Sequence, residues 1–368
     1  MAQDRLKKFS EMDISQRVEA WKQLNSTFDK TCICRLGIDA GFFSEYRGMV
    51  DILLYCLENR IKFKLCSKWA NFGYDKGWTD YFEPFCEEVD DDFHRHCNTH
   101  WRLPLKEFIW GEGNLTVQNL KWKLKLEFYH WVGLWYKKRN AIDYYTQDIN
   151  EKNRPINRTY KIPEWQFEGN YAEAFQLVNS FVWRYNEATL SEINEIISTL
   201  NLPATYISTQ IRGGDKFIEF PLLSVDRYIR RLRDLSDVKD VYVLTDDYRI
   251  ITELREKAPD YRWYTLCQPK EAGYYNDDFV KTDPMEKKRK LIRFFASIEC
   301  LRASSLFLGS ITTGPSGFIA SLKYPDVHFV DIDTSSFLQT LDMPRREVKR
   351  LINEYEQSMA RNAHAGRK

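Results

Sequence analysis

Arg212, Asp215 and Lys216 stand together at the end of Y-I-S-T-Q-I-R-G-G-D-K, residues 206–216, and two cations beside a carboxylate could grip an anion. Tyr206, Ile207 and Ile211 predict a short buried strand, and the Gly213-Gly214 pair lets the backbone turn tightly at its carboxyl end. The same stretch also reads as a strand running into a charged surface turn. Two more segments carry polar clusters after apolar runs: Asp246-Asp247 after V-Y-V-L-T, and Thr312-Thr313-Gly314 with Ser316 in I-T-T-G-P-S-G. In one doubly wound sheet all three would face a single crevice at the strands' carboxyl ends. A nucleotide diphosphate fits the set. Arg212 offers a bidentate fork to phosphate oxygens, while Thr312, Thr313 and the amides near Gly314 add donors at a helix amino terminus. Asp246 or Asp247 could accept from a base edge or a ribose hydroxyl, or could instead cap the helix that follows.

Elements able to position these groups are legible in the periodicity. Ser15–Leu24 predicts a helix opened by Asp13 or Ser15, Thr31–Leu36 a strand, the stretch around Met49–Leu57 a helix, and Lys62–Cys66 a second strand, so a parallel βαβ unit begins near residue 30. The loop 37–48 lies where such sheets bind ligands, although it lacks the G-x-G-x-x-G fingerprint. Residues 69–135 are aromatic and read as mostly helical, and in the run 121–138 lysine stems are expected to cover apolar surface. D-D-D-F-H-R-H-C-N-T-H, 90–100, reads as a solvated loop; His94, Cys97 and His100 could share a helical face around a metal, but no fourth ligand is evident. Residues 146–170 look like a linker. From there, helices at 173–185 and 190–200 lead to alternating strands and helices. The strands are 206–211, 238–244, 263–266, 306–309 and 328–330, and the helices are 224–235, 248–257, 287–303 and one opening near Gly314; 344–359 is a terminal helix before a disordered tail.

Length and composition bound the reading. The 368 residues, 43% hydrophobic, suit two domains, and the element pattern places them as an α/β domain with helical aromatic insertions at 1–200 and a Rossmann-like domain at 201–340, with a terminal helix and tail at 341–368. With 54 Lys plus Arg against 53 Asp plus Glu, nothing calls for a nucleic-acid partner or an anionic membrane surface, so any basic patch is local. The eight cysteines sit singly among apolar neighbours and read as reduced core thiols. With no signal-like amino terminus and no apolar run near the roughly 20 residues of a membrane span, a cytoplasmic protein is expected.

The motifs also carry a family resemblance. R-G-G-D-K-F-I-E-F (212–220), Tyr228 and L-T-D-D (244–247) resemble the H-V-R-R-x-D-K motif and following T-D-D of the α1,6-fucosyltransferases and their bacterial nodulation relatives. In the first half L-L-Y-C-L, K-F-K-L-C-S-K-W and G-W-T-D-Y-F-E-P resemble that family's segments, and A-S-S-L-F-L-G-S-I-T-T-G (303–314) resembles its third motif. The resemblance spans about residues 30–335. It implies a GT-B-like fold of two Rossmann-like domains facing across a cleft, and inverting, metal-independent transfer of fucose from GDP-fucose to a glycan hydroxyl. No cofactor or metal is expected. Arg212 and Lys216 would hold the diphosphate and Glu219 would act as base. Gln210, Asp215, Tyr228, Asp246, Asp247, Thr312, Thr313, Gly314 and Ser316 would line the donor site.

This chain also departs from the pattern. Gln210 stands where the family has histidine, Gly213 where it has a second arginine, and Ser297 where a donor-binding aspartate is expected. The α1,2-fucosyltransferases share the R-G-D core but lack the following lysine. The absent anchor and SH3 segments point to a soluble microbial or viral relative. Other readings are transfer from a different nucleotide sugar, a metal-dependent GT-A enzyme using Asp331-Ile332-Asp333, and a non-catalytic nucleotide-sugar- or carbohydrate-binding module. Trp69, Trp78 and Trp101 are candidate acceptor platforms, with core packing as the alternative.

Overall fold

The computed structural model describes residues 9–37, 40–99, 116–150, 152, 155–214, 220 and 222–365. Packing groups the chain into two units, one of residues 1–155, 160–169 and 177–184, the other of 156–159, 170–176 and 185–368. Residues 185–200, placed in the first domain by the sequence, group with the second unit.

In the first unit, α1 (Ile14–Ser26) starts at Asp13, whose carboxylate accepts from the Gln16 N–H at 2.9 Å while the Gln16 side chain accepts from the Asp13 N–H at 3.2 Å. β1 (Lys30–Arg35), α2 (Phe42–Glu58) and β2 (Ile61–Cys66) form the expected parallel βαβ unit. With β3 (Glu87–Glu88) and β4 (Tyr144–Tyr145) they complete a parallel sheet ordered β3-β2-β1-β4. Among the described residues the unit also carries α3 (Phe93–Cys97), α4 (Val117–Arg139) and α5 (Thr146–Asn150). The expected linker holds a hairpin, β5 (Tyr160–Ile162) and β6 (Phe167–Gly169). Many aromatic residues of the first unit are core: Trp21 stacks on Phe181 at 5.3 Å and Phe9 on Trp165 at 4.1 Å between ring centroids.

Two expectations fail here for identifiable reasons. Residues 68–86 are turns with one short 3-10 helix, Trp78–Asp80, rather than a long helix, because the Asp80 carboxylate collects the N–H groups of Tyr74, Asp75, Lys76 and Gly77 at 2.7–3.0 Å and locks a loop. Trp78, in that loop, is 1% exposed and stacked on Phe82 at 4.1 Å, so it is core and no platform; Trp69 is half-buried, and Trp101 lies outside the described residues. The supposed solvated loop at 90–100 contains α3 with His94 and Cys97 buried, because Phe93 stacks on Tyr136 of α4 at 3.7 Å and draws it inward. Burial lowers the His94 pKa, and His100 lies outside the described residues.

α6 (Tyr171–Val182) has residues in both units, and α7 (Glu187–Ser198) belongs to the second. The second unit carries β7 (Ile207–Gln210), α8 (Val225–Leu235), β8 (Asp240–Leu244), α9 (Tyr248–Lys257) and β9 (Arg262–Tyr264). α10 (Asn276–Val280), α11 (Pro284–Ala303), β10 (Leu306–Gly309), α12 (Gly314–Lys323), β11 (His328–Phe329), α13 (Phe337–Thr340) and α14 (Arg345–Ala365) follow. All five strands are parallel in the order β11-β10-β7-β8-β9. β7 and β8 are buried at every position, as strands covered on both faces must be. On α8 the buried Val225, Tyr228, Ile229 and Leu232 follow helical spacing and pack into the core with Ile207, Val241 and Val243. The chain is thus α/β with two Rossmann-like units, the composition of a GT-B-like fold. β7, β8 and β9 progress to one side while β10 and β11 lie on the other, so the order reverses between β7 and β10, the position where such sheets bind ligands.

Candidate nucleotide site

The carboxyl ends of β7 and β10 flank this reversal, and their side chains are tied together. Gln210, the last residue of β7, is buried, and its Oε1 accepts from the hydroxyls of Thr313 and of Ser316, the latter at 2.5 Å. On the β10 side, the fully buried Asp331 accepts from the Ser310 hydroxyl at 2.6 Å and the Ile311 N–H at 3.1 Å, and Ser310 Oγ lies 2.7 Å from Thr312 Oγ1. Burial pushes the Asp331 carboxyl up to about 6, against the pull of those two donors. This buried frame fixes the turn that opens α12. Thr313 is its N-cap, Pro315 carries no N–H, and the amides of Gly314 and Ser316 have no intrahelical acceptor. The result is a helix amino terminus, with its positive dipole end, held at the switch point.

A second cluster begins two residues after Gln210. The Ile211 N–H still pairs with Leu244 O at 3.0 Å, after which Arg212 and Gly213 turn away from the sheet. Asp246 holds that turn: it accepts from the Gly213 N–H at 2.7 Å and the Tyr274 N–H at 2.8 Å, and lies 3.3 Å from Arg212 Nη1. One carboxylate therefore gathers the loops that follow β7, β8 and β9. The Arg212 guanidinium also sits over the Tyr274 ring, 5.0 Å from its centroid. The loops approach so closely that both glycines are required. A Cβ on Gly213 would lie 2.9 Å from Asp247 Cβ, and Gly214, at φ +57, would push one to 2.4 Å from Tyr274 O. The missing second arginine at 213 thus has a steric reason.

Asp247 takes the capping role that the sequence left open between the two aspartates. It is the N-cap of α9, accepts from the Arg249 N–H at 3.0 Å, and is gripped by the Arg249 guanidinium, which holds its carboxyl below the usual carboxylate range. Tyr228 is not brought to the crevice: it is 2% exposed in the core, and burial with the nearby Asp331 charge pushes its phenol up. Ser297 lies buried on α11 and donates to Arg293 O at 3.0 Å. Asp215, Lys216 and Glu219 lie outside the described residues. Asp331 and Asp333 do not form an acidic pair around one point, since Asp333 caps a separate turn through Ser335 at 2.9 Å. Among the described residues no cluster of His, Cys, Asp or Glu could hold a metal ion.

Gly273 and Tyr274 escaped the sequence reading. The signal was present, as a glycine following the β9 strand, but only the fold brings it against Gly214 and Asp246.

No protein-family model matches the chain, and no curated protein matches it. Solved structures do. NodZ α1,6-fucosyltransferase soaked with GDP-fucose aligns at 12% identity and a TM-score of 0.46, covering 80% of this chain and 92% of that one. POFUT1 in complex with GDP aligns at 11% identity and a TM-score of 0.45, covering 83% of this chain and 99% of that one. NodZ from Bradyrhizobium aligns at 10% identity and 0.44, covering 80% and 93%.

Proposed function

We propose that this chain is an inverting, metal-independent glycosyltransferase that moves fucose from GDP-fucose to a glycan hydroxyl. The observation that carries the reading is the switch point of the second sheet. There, the amino terminus of α12 and Arg212 rise from the ends of β10 and β7, joined beneath by Gln210. That pairing suits a diphosphate. The motif R-G-G-D-K follows β7 and L-T-D-D closes β8, and their family resemblance supports GDP-fucose as the donor.

In this reaction the acceptor oxygen bonds to the anomeric carbon as the bond from that carbon to the β-phosphate oxygen breaks, and GDP departs with the electron pair. Glu219 takes the acceptor hydroxyl's proton. Arg212, with five donors in a planar fork, serves Asp246 and the departing diphosphate together. Lys216 and the α12 amides share the remaining charge. Asp215, Thr312 and Thr313 serve as donor-binding residues. Asp246 and Asp247 act through the loops they fix.

The test is release of GDP from GDP-fucose by the full chain, with and without EDTA. Turnover that survives chelation is expected. Arg212→Ala should lower turnover by two orders of magnitude or more, and Glu219→Gln should abolish transfer while leaving GDP affinity unchanged. Activity lost to EDTA would contradict the metal-independent mechanism, and GDP binding without any turnover would leave a nucleotide-sugar-binding module.

A further inference from the structure

The helix α4 is built inside out relative to the lysine-covered helix its sequence suggests. Its inward contacts come from a polar and aromatic face. Gly133 lets α4 come close to α3, since a Cβ there would lie 3.0 Å from Cys97 O; Tyr129 stacks on His96 at 5.3 Å, Tyr136 stacks on Phe93, and Lys137 pairs with Asp148 at 2.5 Å. The apolar residues point the other way. Val117, Leu120, Leu124, Phe128, Trp131 and Trp135, spaced by threes and fours, form one stripe along the helix, each between 47% and 73% exposed. Of the thirteen exposed large hydrophobic residues among those described, eight are on this one helix. Such concentration is unlike the scattered apolar exposure of an ordinary surface and marks an interaction face.

Charge identifies the occupant. Lys121, Lys125, Lys138 and Arg139 are exposed beside the stripe, and Arg139 lies over the Trp135 ring at 5.5 Å. The helix's one acidic residue, Glu127, is paired with Lys123 at 3.0 Å. Pairing of this face with a second copy would set cation against cation whether the helices ran parallel or antiparallel. An anionic lipid surface complements it along the whole helix, about 35 Å. Tryptophans and leucines on one side with lysines flanking them make the pattern of a helix lying in the plane of a bilayer's headgroup region. We propose that α4 docks this protein on an anionic phospholipid surface, lying parallel to the membrane. It does not span one: no helix among the described residues is long and apolar enough to cross.

Flotation of the full chain with vesicles tests this. Vesicles of one part phosphatidylserine to three of phosphatidylcholine should carry the protein upward, with recovery falling at least about tenfold on phosphatidylcholine alone or in high salt. Two double variants, Trp131→Ser with Trp135→Ser and Lys121→Glu with Lys125→Glu, should each lose about tenfold with an unchanged thermal midpoint, since all four side chains are exposed. The charge variant keeps the test valid if the tryptophan variant folds poorly. A wild-type chain that stays at the bottom of the gradient, as it would with the stripe covered by another part of the chain, overturns the proposal. So do variants that float as well as wild type, and so does a concentration-dependent dimer broken by the tryptophan changes in a chain that ignores vesicles.

Discussion

At the residue scale, two buried or half-buried carboxylates divide the work of the site, and their surroundings distinguish them. Asp246 is surrounded by donors, whereas Asp331 meets a hydroxyl and one amide in a nearly dry setting. An unfolded aspartate ionises near pH 4, but burial holds Asp331 protonated up to about 6. Between those values the folded chain binds more protons than the unfolded one, so its stability falls as pH rises through the window, and the penalty vanishes below it. The gap corresponds to roughly 3 kcal/mol. Denaturation of wild type and Asp331→Asn from pH 4 to 7 should therefore show wild type losing stability relative to the variant, and parallel curves would refute the assignment. Arg212 and Asp246 were legible as a strand-end motif. Asp331 was not, because in sequence it looks like half of a metal-binding pair, and only its position under the Ser310 turn shows where its carboxylate points. Tyr228 was read as a site residue on resemblance, although its spacing with Val225, Ile229 and Leu232 already marked a core face.

At the element scale, the site is a matter of what begins and ends each strand and helix. α9 starts at Asp247, gripped by Arg249 of the helix's own first turn, and α12 at Thr313, held by Gln210 of β7. Asp247→Ala removes a cap and its ion pair with the exposed Arg249 guanidinium; a loss of about 1–2 kcal/mol is expected in chemical denaturation, with Asp247→Asn retaining part of it. An Ala variant as stable as wild type would show that the cap is dispensable. Short apolar runs made β1, β2 and the strands of the second sheet legible, along with most helix starts, whereas the two-residue β3 and β4 were not. Residues 68–86 were not, since aromatic periodicity cannot reveal that one carboxylate, Asp80, will gather four amides and forbid the helix. α4 was legible as a helix but not in its orientation. Gly133 and Tyr136, which decide which face turns inward, are minor features of the sequence pattern.

At the scale of the whole molecule, the second unit's strand order concentrates chemistry that lies a hundred residues apart in sequence. Gln210 and Thr313 meet only because β7 and β10 are neighbours. The parallel sheet was foreseeable from alternating strands and helices, and the reversal of its order is what turns three separate loops into one site. The account stands on that site accepting a nucleotide diphosphate. Calorimetric titration of GDP into the full chain in EDTA tests it most directly. The account predicts saturable one-to-one binding for wild type and an affinity at least about tenfold weaker for Arg212→Ala. Equal affinity in the two proteins, or no binding to wild type, would contradict it.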